Sequence, residues 1–449
     1  MATGGTFQTQ NKVRPGAYIN FLGVPKSLSS VGERGVVAIP LSLSWGDEVV
    51  ELTANDLITG ASLQKVGFTF SDEASLNARL ALQSCYKAIL YRLNHASATA
   101  ASGTIGGISC TAKFGGAFGN LIEVSVAIES HEESGETVVD SYTVKTFANN
   151  TLVDTQKVAA ISSLASNGFV NFTPGGSITA AARTALTGGA DGTEPSDFSS
   201  AFNALQNYAF NVLAITSTTS TIKAQAVQFV ERLRDEQGVK VQVVLDEYNG
   251  DSEAVITSQQ GYLTSDGGTI SKTQAVLTYA GMQAGASITE SLTGAVVPDA
   301  VAVIGAPQTH DDIIDALNAG KFIISRRQDG AIVVEKDQNS LHTFTPSKGY
   351  IFSKNRPIRV LDQVGNDVKA LFNKSYLGKL SNDENGRNIF KADIAAYMLE
   401  LQRIGAIQNF DIDDIMIAQG TEADSIVVQL AVQPVDSMEK LYMTINVYG

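Results

Sequence analysis

Residues 425–448 read SIVVQLAVQPVDSMEKLYMTINVY, two extended runs in succession. In the second, Lys440 to Tyr448, the residues Leu441, Met443, Ile445 and Val447 alternate with Tyr442, Thr444, Asn446 and Tyr448. That period of two is the one a strand imposes. The first run, Ser425 to Val435, is the other strand candidate. Upstream, Ile389, Ile394, Tyr397, Met398, Leu401 and Ile404 recur at three- and four-residue spacing, which predicts a helix over Asn388 to Ile404 capped by Asn388. An apolar helical stripe followed by two strands defines a C-terminal α+β assembly domain. Chain ends are ordinarily polar and loosely ordered, so a terminal amphipathic strand must find a sheet edge, its own or a neighbour's.

The N-terminal stretch Gly5 to Leu22, GTFQTQNKVRPGAYINFL, repeats the pattern. Pro15 forbids helix and holds Arg14 in extended geometry, and Ala17, Ile19 and Phe21 fall on one face. Both ends either pair within their own domain or are lent to other copies, the β-addition mode of recognition. Under the second reading the exchanged residues are Val13, Ala17, Tyr18, Ile19 and Phe21 at one end and Leu441, Tyr442, Met443, Ile445 and Val447 at the other.

Length and composition set the frame. A chain of 449 residues with 44% hydrophobic content has room for two or three domains, each with its own core. A net charge of −14 opposes binding to phosphate-rich nucleic acid, and no local basic groove offsets it. No basic leader with an apolar segment opens the chain and no run approaches 18 consecutive apolar residues, so neither export nor a membrane span is expected. Cys85 and Cys110 lack C-x-x-C spacing and read as reduced core thiols of a cytosolic protein.

Along the chain, the expected class is mixed α/β in several domains. Gly35 to Leu43, a helix around Leu76, Leu80 and Leu82, and Tyr86 to Leu93 make a β-α-β opening. The rhythm returns at Phe198 to Asn207 (helix), Phe210 to Thr216 (strand), Ile222 to Arg234 (helix), Val239 to Leu245 and Ala300 to Ile304 (strands). Thr309 with Asp312 predicts a capping box for a helix through Ile313, Ile314 and Leu317. Between the halves, Leu121 to Ile128 and Thr137 to Phe147 alternate as strands in a Gly-, Ser- and Thr-rich interval bounded by linker-like stretches at Ser97 to Gly103 and Thr187 to Thr193. The expected division is an extended arm (1–24), a middle α/β domain with a mixed sheet (25–95 and 194–338), an inserted β-rich domain (96–193) and the assembly domain (339–449).

The search for chemistry returns little. His95, His131, His310 and His342 are far apart, none at metal-ligand spacing, so no metal and no cofactor is expected. Gly115, Gly116 and Gly119 of KFGGAFGN precede a strand instead of a helix and suit a tight turn better than a phosphate cradle. Asp411, Asp413 and Asp414 lack the glycine and distal glutamate of a calcium loop. Lys348, Lys354, Arg356 and Arg359 form a basic strip, read as a face toward a neighbouring subunit or another acidic partner. Two other classes compete with a structural subunit. One is an α/β enzyme with its site at the strand ends near Asp246 and Glu247, although no partner for them stands at suggestive spacing; the other is a different shell or tube protein.

Six stretches in order carry a resemblance: GTFQTQNKVRPGAYINF (5–21), KFGGAFGN (113–120), LTGGADG (186–192), YAGMQAGAS (279–287), FSKNRPIRVLDQVGNDVKALF (352–372) and VQPVDSMEKLYMTINV (432–447). Together the chain resembles the contractile tail sheath proteins of prophages, myophages and phage-tail-like bacteriocins. It departs where Phe7 stands in place of a frequent tryptophan, and where Phe114-Gly115 stands in place of an aromatic and proline. The resemblance implies a non-enzymatic subunit that polymerises as a helical stack of rings around an inner tail tube protein, with baseplate and tail terminator proteins as further partners. It implies assembly in the host cytoplasm and a place in the tail after release. It also implies an outward β-rich insertion, and terminal strands that complete a sheet in neighbouring copies.

Overall fold

The computed structural model describes residues 34–134 and 136–448, together with the backbone of the two short parallel strands Gly4–Gly5 and Ala17–Tyr18. Its frame is a seven-stranded sheet. In spatial order the strands are Lys321–Phe322, Val255–Ser258, Gln242–Asp246, Val212–Ala214, Val36–Leu41, Lys87–Arg92 and Val49–Thr53. Every neighbouring pair is parallel except the last, which is antiparallel. A parallel strand is covered on both faces and reads as a continuous apolar run, as VVAIPL and QVVLD do. The two faces carry separate cores. Val37, Ile39 and Leu90 face the helices Leu76–Leu82 and Lys272–Gly285; Ala38, Ile89 and Leu213 face Ser199–Leu205 and Ser220–Asp235. These elements follow the expected ones closely. Lys321–Phe322 joins the main sheet, and Ile324–Arg326 pairs with Ile332–Val334 as an antiparallel hairpin.

The β-rich insertion is built from two sheets. Thr151–Val158, Glu136–Ala148, Ile122–Glu133 and Ala181–Ala185 form one; Val170–Pro174, Ile108–Ala112 and Ser102–Ile105 form the other. The hairpin from Ile122 to Ala148 is longer than its apolar alternation predicts, because its far end is charged and exposed on both faces. The two linker-like stretches pair with each other as antiparallel bridges, Thr99 with Ala190 and Ser102 with Thr187. Trp45 follows the first sheet strand but buries in the insertion's core, its ring 5.1 Å from Phe114 and 5.2 Å from Phe118. Gly116 lies at φ +134° in this neck, where a Cβ would meet the Ser44 carbonyl at 2.0 Å. The KFGGAFGN turn is therefore a packing element, and Arg92 holds it by donating to the Gly115 carbonyl at 2.8 Å.

The described residues divide into two compact units, 367–433 and 34–366 with 434–448. The division falls inside the helix Asn355–Leu371, further along than the expected boundary at 339. The smaller unit holds the helix Glu384–Arg403, which starts four residues before Asn388 and is capped by Asp383, whose carboxylate accepts from the Gly386 amide at 2.7 Å. Phe390 joins the buried stripe of Ile394, Tyr397, Met398 and Leu401, while Ile389 points to solvent. The helix packs on Ile415–Gln419, which pairs with Ile426–Leu430 as a two-stranded antiparallel hairpin. Asp411 caps the short turn into it, so the aspartate cluster is a capping device.

In the larger unit a buried ion pair ties the middle domain to the helix that leaves it. Asp337 and Arg359 meet at 2.7 Å with side chains 0% and 1% exposed, and Gln283, Asn355 and the Leu292 amide also donate to the carboxylate. Burial alone would raise the Asp337 pKa; Arg359 and these donors outweigh it and hold it below the ordinary carboxylate value. A depressed carboxylate stabilises the fold above its unfolded-state pKa, about 3.9, and that contribution is lost as pH falls through the folded value. Arg359→Met is expected to lower stability by about 3–5 kcal/mol, read by denaturant unfolding, and to abolish the acid-side slope that this pair contributes below about pH 4.

Candidate assembly site

The decisive segment is 440–448. It has strand alternation but forms no strand with any described residue, and Leu441, Tyr442, Met443, Ile445, Val447 and Tyr448 are 69–91% exposed. Leu441, Met443, Ile445 and Val447 share one face of an extended chain, and leaving such a stripe in water costs about 1.5–3 kcal/mol per side chain relative to burial. Its partner is not in the described part of its own chain.

The hairpin Ile415–Gln419 with Ile426–Leu430 offers the complementary deficiency. Ile415, Ile417, Val428 and Leu430 lie opposite one another on one face, and neither outer edge pairs with a described strand. A two-stranded sheet is marginal alone and gains from further strands. Beside it Phe372, Tyr376, Leu380, Phe390 and Ile426 line a recess of about 320 Å³. Burial, with Asp393 accepting from the Tyr376 hydroxyl at 2.5 Å, pushes that phenol's pKa upward.

The basic strip is largely turned inward, which corrects its reading as a partner face. Arg359 is spent on Asp337; Lys354 is buried and lies 2.5 Å from Asp436 and 2.9 Å from Glu439; Arg356 donates to the Ser437 hydroxyl at 2.6 Å. Only Lys348, paired with Glu253 at 2.6 Å, is exposed. Charge counting along a sequence cannot see this, because Asp436 and Glu439 lie 82 and 85 positions from Lys354, and Asp337 lies 22 from Arg359. Of the N-terminal exchange residues, Ala17 and Tyr18 form the short strand beside Gly4–Gly5, while Val13, Ile19 and Phe21 lie outside the described residues.

The acids at the strand ends do have partners. Lys223 reaches the Asp246 carboxylate at 2.6 Å and its carbonyl at 2.7 Å, Thr273 donates to Asp246 at 2.9 Å, and Lys272 meets Glu247 at 2.5 Å. Lys223 and Asp246 are both buried, so the pair ties the helix Ser220–Asp235 to the sheet and offers no open carboxylate to a ligand. His95 and His342 bond to the nearby carbonyls of Arg92 and Ser340, and His131 to the exposed Asp140. No group of metal-ligating side chains is found among the described residues.

The chain thus combines an α/β body with an exposed extended segment and a hairpin whose outer edges no described strand occupies. Residues 191–340 match the phage tail sheath protein central domain and 347–448 the phage tail sheath C-terminal domain. The chain is 35% identical to the phage-like element PBSX protein XkdK of Bacillus subtilis over 99% of both chains. It is 37% identical to a sheath tail protein of Desulfitobacterium hafniense of known structure, covering 95% of this chain and 99% of that one at a TM-score of 0.76. The chain belongs to the phage tail sheath family, whose role is structural. The same fold, at 11% identity and a TM-score of 0.56 over 97% of this chain and 99% of the other, occurs in the anti-feeding prophage helical sheath in its contracted state.

In the dissociated subunit, amides of 440–448 are expected to exchange with solvent at unprotected rates, while those of Lys87–Arg92 in the central sheet stay protected by orders of magnitude. Hydrogen-exchange mass spectrometry reads both, and slow exchange at 440–448 in the monomer would contradict the unpaired state.

Proposed function

We propose that this chain is the strand-donating subunit of a contractile sheath. Segment 440–448 of one copy adds to an open edge of the hairpin 415–430 in another, and the N-terminal arm takes part in the same exchange. The observation that carries the reading is the apolar alternation of 440–448 left exposed and unpaired. Each backbone bond formed in trans contributes roughly 0.5–1.5 kcal/mol, and each of four apolar side chains roughly 1.5–3 kcal/mol before ordering costs. Head-to-tail donation of this kind is heterologous and builds rings and helices instead of closed dimers.

The partners under this reading are further copies in a helical stack of rings, an inner tail tube, and baseplate and terminator proteins at the ends. Assembly takes place in the host cytoplasm. The extended polymer is a kinetic trap, and contraction moves the compact units as rigid bodies while the exchanged strands keep neighbours joined. The likeness in fold to a sheath in its contracted state supports this.

Deleting 440–449 is expected to leave a folded monomer that forms no tubes in electron microscopy or particle sizing; long tubes from that truncation would refute strand donation. Val428→Pro, which removes a donor from the hairpin, is expected to block acceptance while leaving the arm free. Mixed with wild-type subunits, the deleted chain can accept but not donate, so it is expected to shorten polymers in proportion to its share.

A further inference from the structure

The exposed arm does not begin where the small unit ends. Six residues, Pro434–Glu439, intervene, and side chains of the 34–366 body hold them at four points. Lys354 Nζ lies 2.5 Å from the Asp436 carboxylate and 2.9 Å from that of Glu439. The Thr293 hydroxyl donates to Glu439 at 2.8 Å, and Arg356 donates to the Ser437 hydroxyl at 2.6 Å. Beyond Glu439 the side chains turn to solvent among the described residues: Leu441 is 84% and Tyr442 88% exposed.

The holding side chains are themselves fixed. Lys354 precedes the helix Asn355–Leu371, its carbonyl accepts from the Ile358 amide, and its side chain is 6% exposed. Its neighbour Asn355 and, one turn on, Arg359 both bind Asp337. The Asp337 amide donates to the Thr293 hydroxyl at 2.9 Å, so the group that holds Glu439 is seated on the same buried acid. An ammonium this buried is stable only with its carboxylates in place, and removing one side of such an arrangement leaves the other uncompensated.

We infer that Lys354 is the positioning residue for strand donation: it docks 434–439 on the body, so that the arm departs from Lys440 in one direction. The inference rests on the strand-donating reading above. It places the pivot at Lys440, and pull on a donated strand enters the 34–366 body through Lys354 instead of passing to the 367–433 unit. Holding the root of the arm preorganises it, which lowers the ordering cost at the moment of capture.

The test compares wild type, Lys354→Met, Lys354→Arg and the 440–449 deletion. For the distance measurement the first three carry spin labels at Ile58→Cys and Tyr442→Cys, while the threshold is read on chains without these two substitutions; both native cysteines are buried and free. The expected result is a narrow interlabel distance distribution in monomeric wild type and Lys354→Arg and a broad one in Lys354→Met, with the threshold concentration for tube formation raised about tenfold in Lys354→Met and restored by Lys354→Arg. Should Lys354→Met fail to match the wild-type circular dichroism, Asp436→Asn with Glu439→Gln takes its place, leaving the lysine intact. The inference needs both the broadening and the raised threshold. If either is missing, or if the threshold falls, it is overturned while strand donation stands. If the deletion still forms tubes, strand donation itself is overturned.

Discussion

An extended segment that no described strand pairs dominates this molecule. An extended segment with one apolar face asks for backbone partners along its edges, which water can supply, and for a dry surface against its apolar side, which water cannot. Segment 440–448 carries both demands at once, and the described part of the chain meets neither. The hairpin 415–430 shows the matching deficiency, a sheet of two strands with open edges resting on one helix. The two deficiencies lie in different compact units of one sequence. Under the strand-donating reading every copy is donor and acceptor together, and a chain of copies follows from that.

Around that constraint the larger unit is built for stiffness. Its parallel sheet is covered on both faces, and charged residues are buried at the places where elements must keep a fixed relation. Lys223 with Asp246 ties a helix to a strand end, Arg234 with Asp362 ties that helix to the one starting at Asn355, and Asp337 with Arg359 locks the middle domain to it. Hydrophobic contact alone would tolerate sliding; a buried pair tolerates almost none, because displacement leaves an uncompensated charge. Three such pairs give the larger unit that intolerance at each of these joints.

The regular elements were legible because their cause is local. VVAIPL, QVVLD and the alternation at 441–448 state their burial or its absence residue by residue. What was misread depends on distant residues. Asn388 looked like a cap because an apolar stripe began beside it, yet Asp383 caps the helix and Phe390 extends the stripe. The basic strip looked outward because Asp337, Asp436 and Glu439 are invisible to a local charge count. The amphipathic helix His310–Asn318 has its Thr309 cap, but none of its residues is buried, so its stripe of Ile313, Ile314 and Leu317 fits the periodicity without reporting a core. Periodicity predicts a face; only the fold decides what covers it.

An exposed apolar strand is also an invitation to aggregate, and the composition of the arm limits that risk. Thr444 and Asn446 stand between the apolar positions, and Lys440 precedes them, so two free arms can bury only one face against each other and leave the other wet. The hairpin, by contrast, already rests on a helix whose buried side is packed, and an added strand there extends an existing apolar layer.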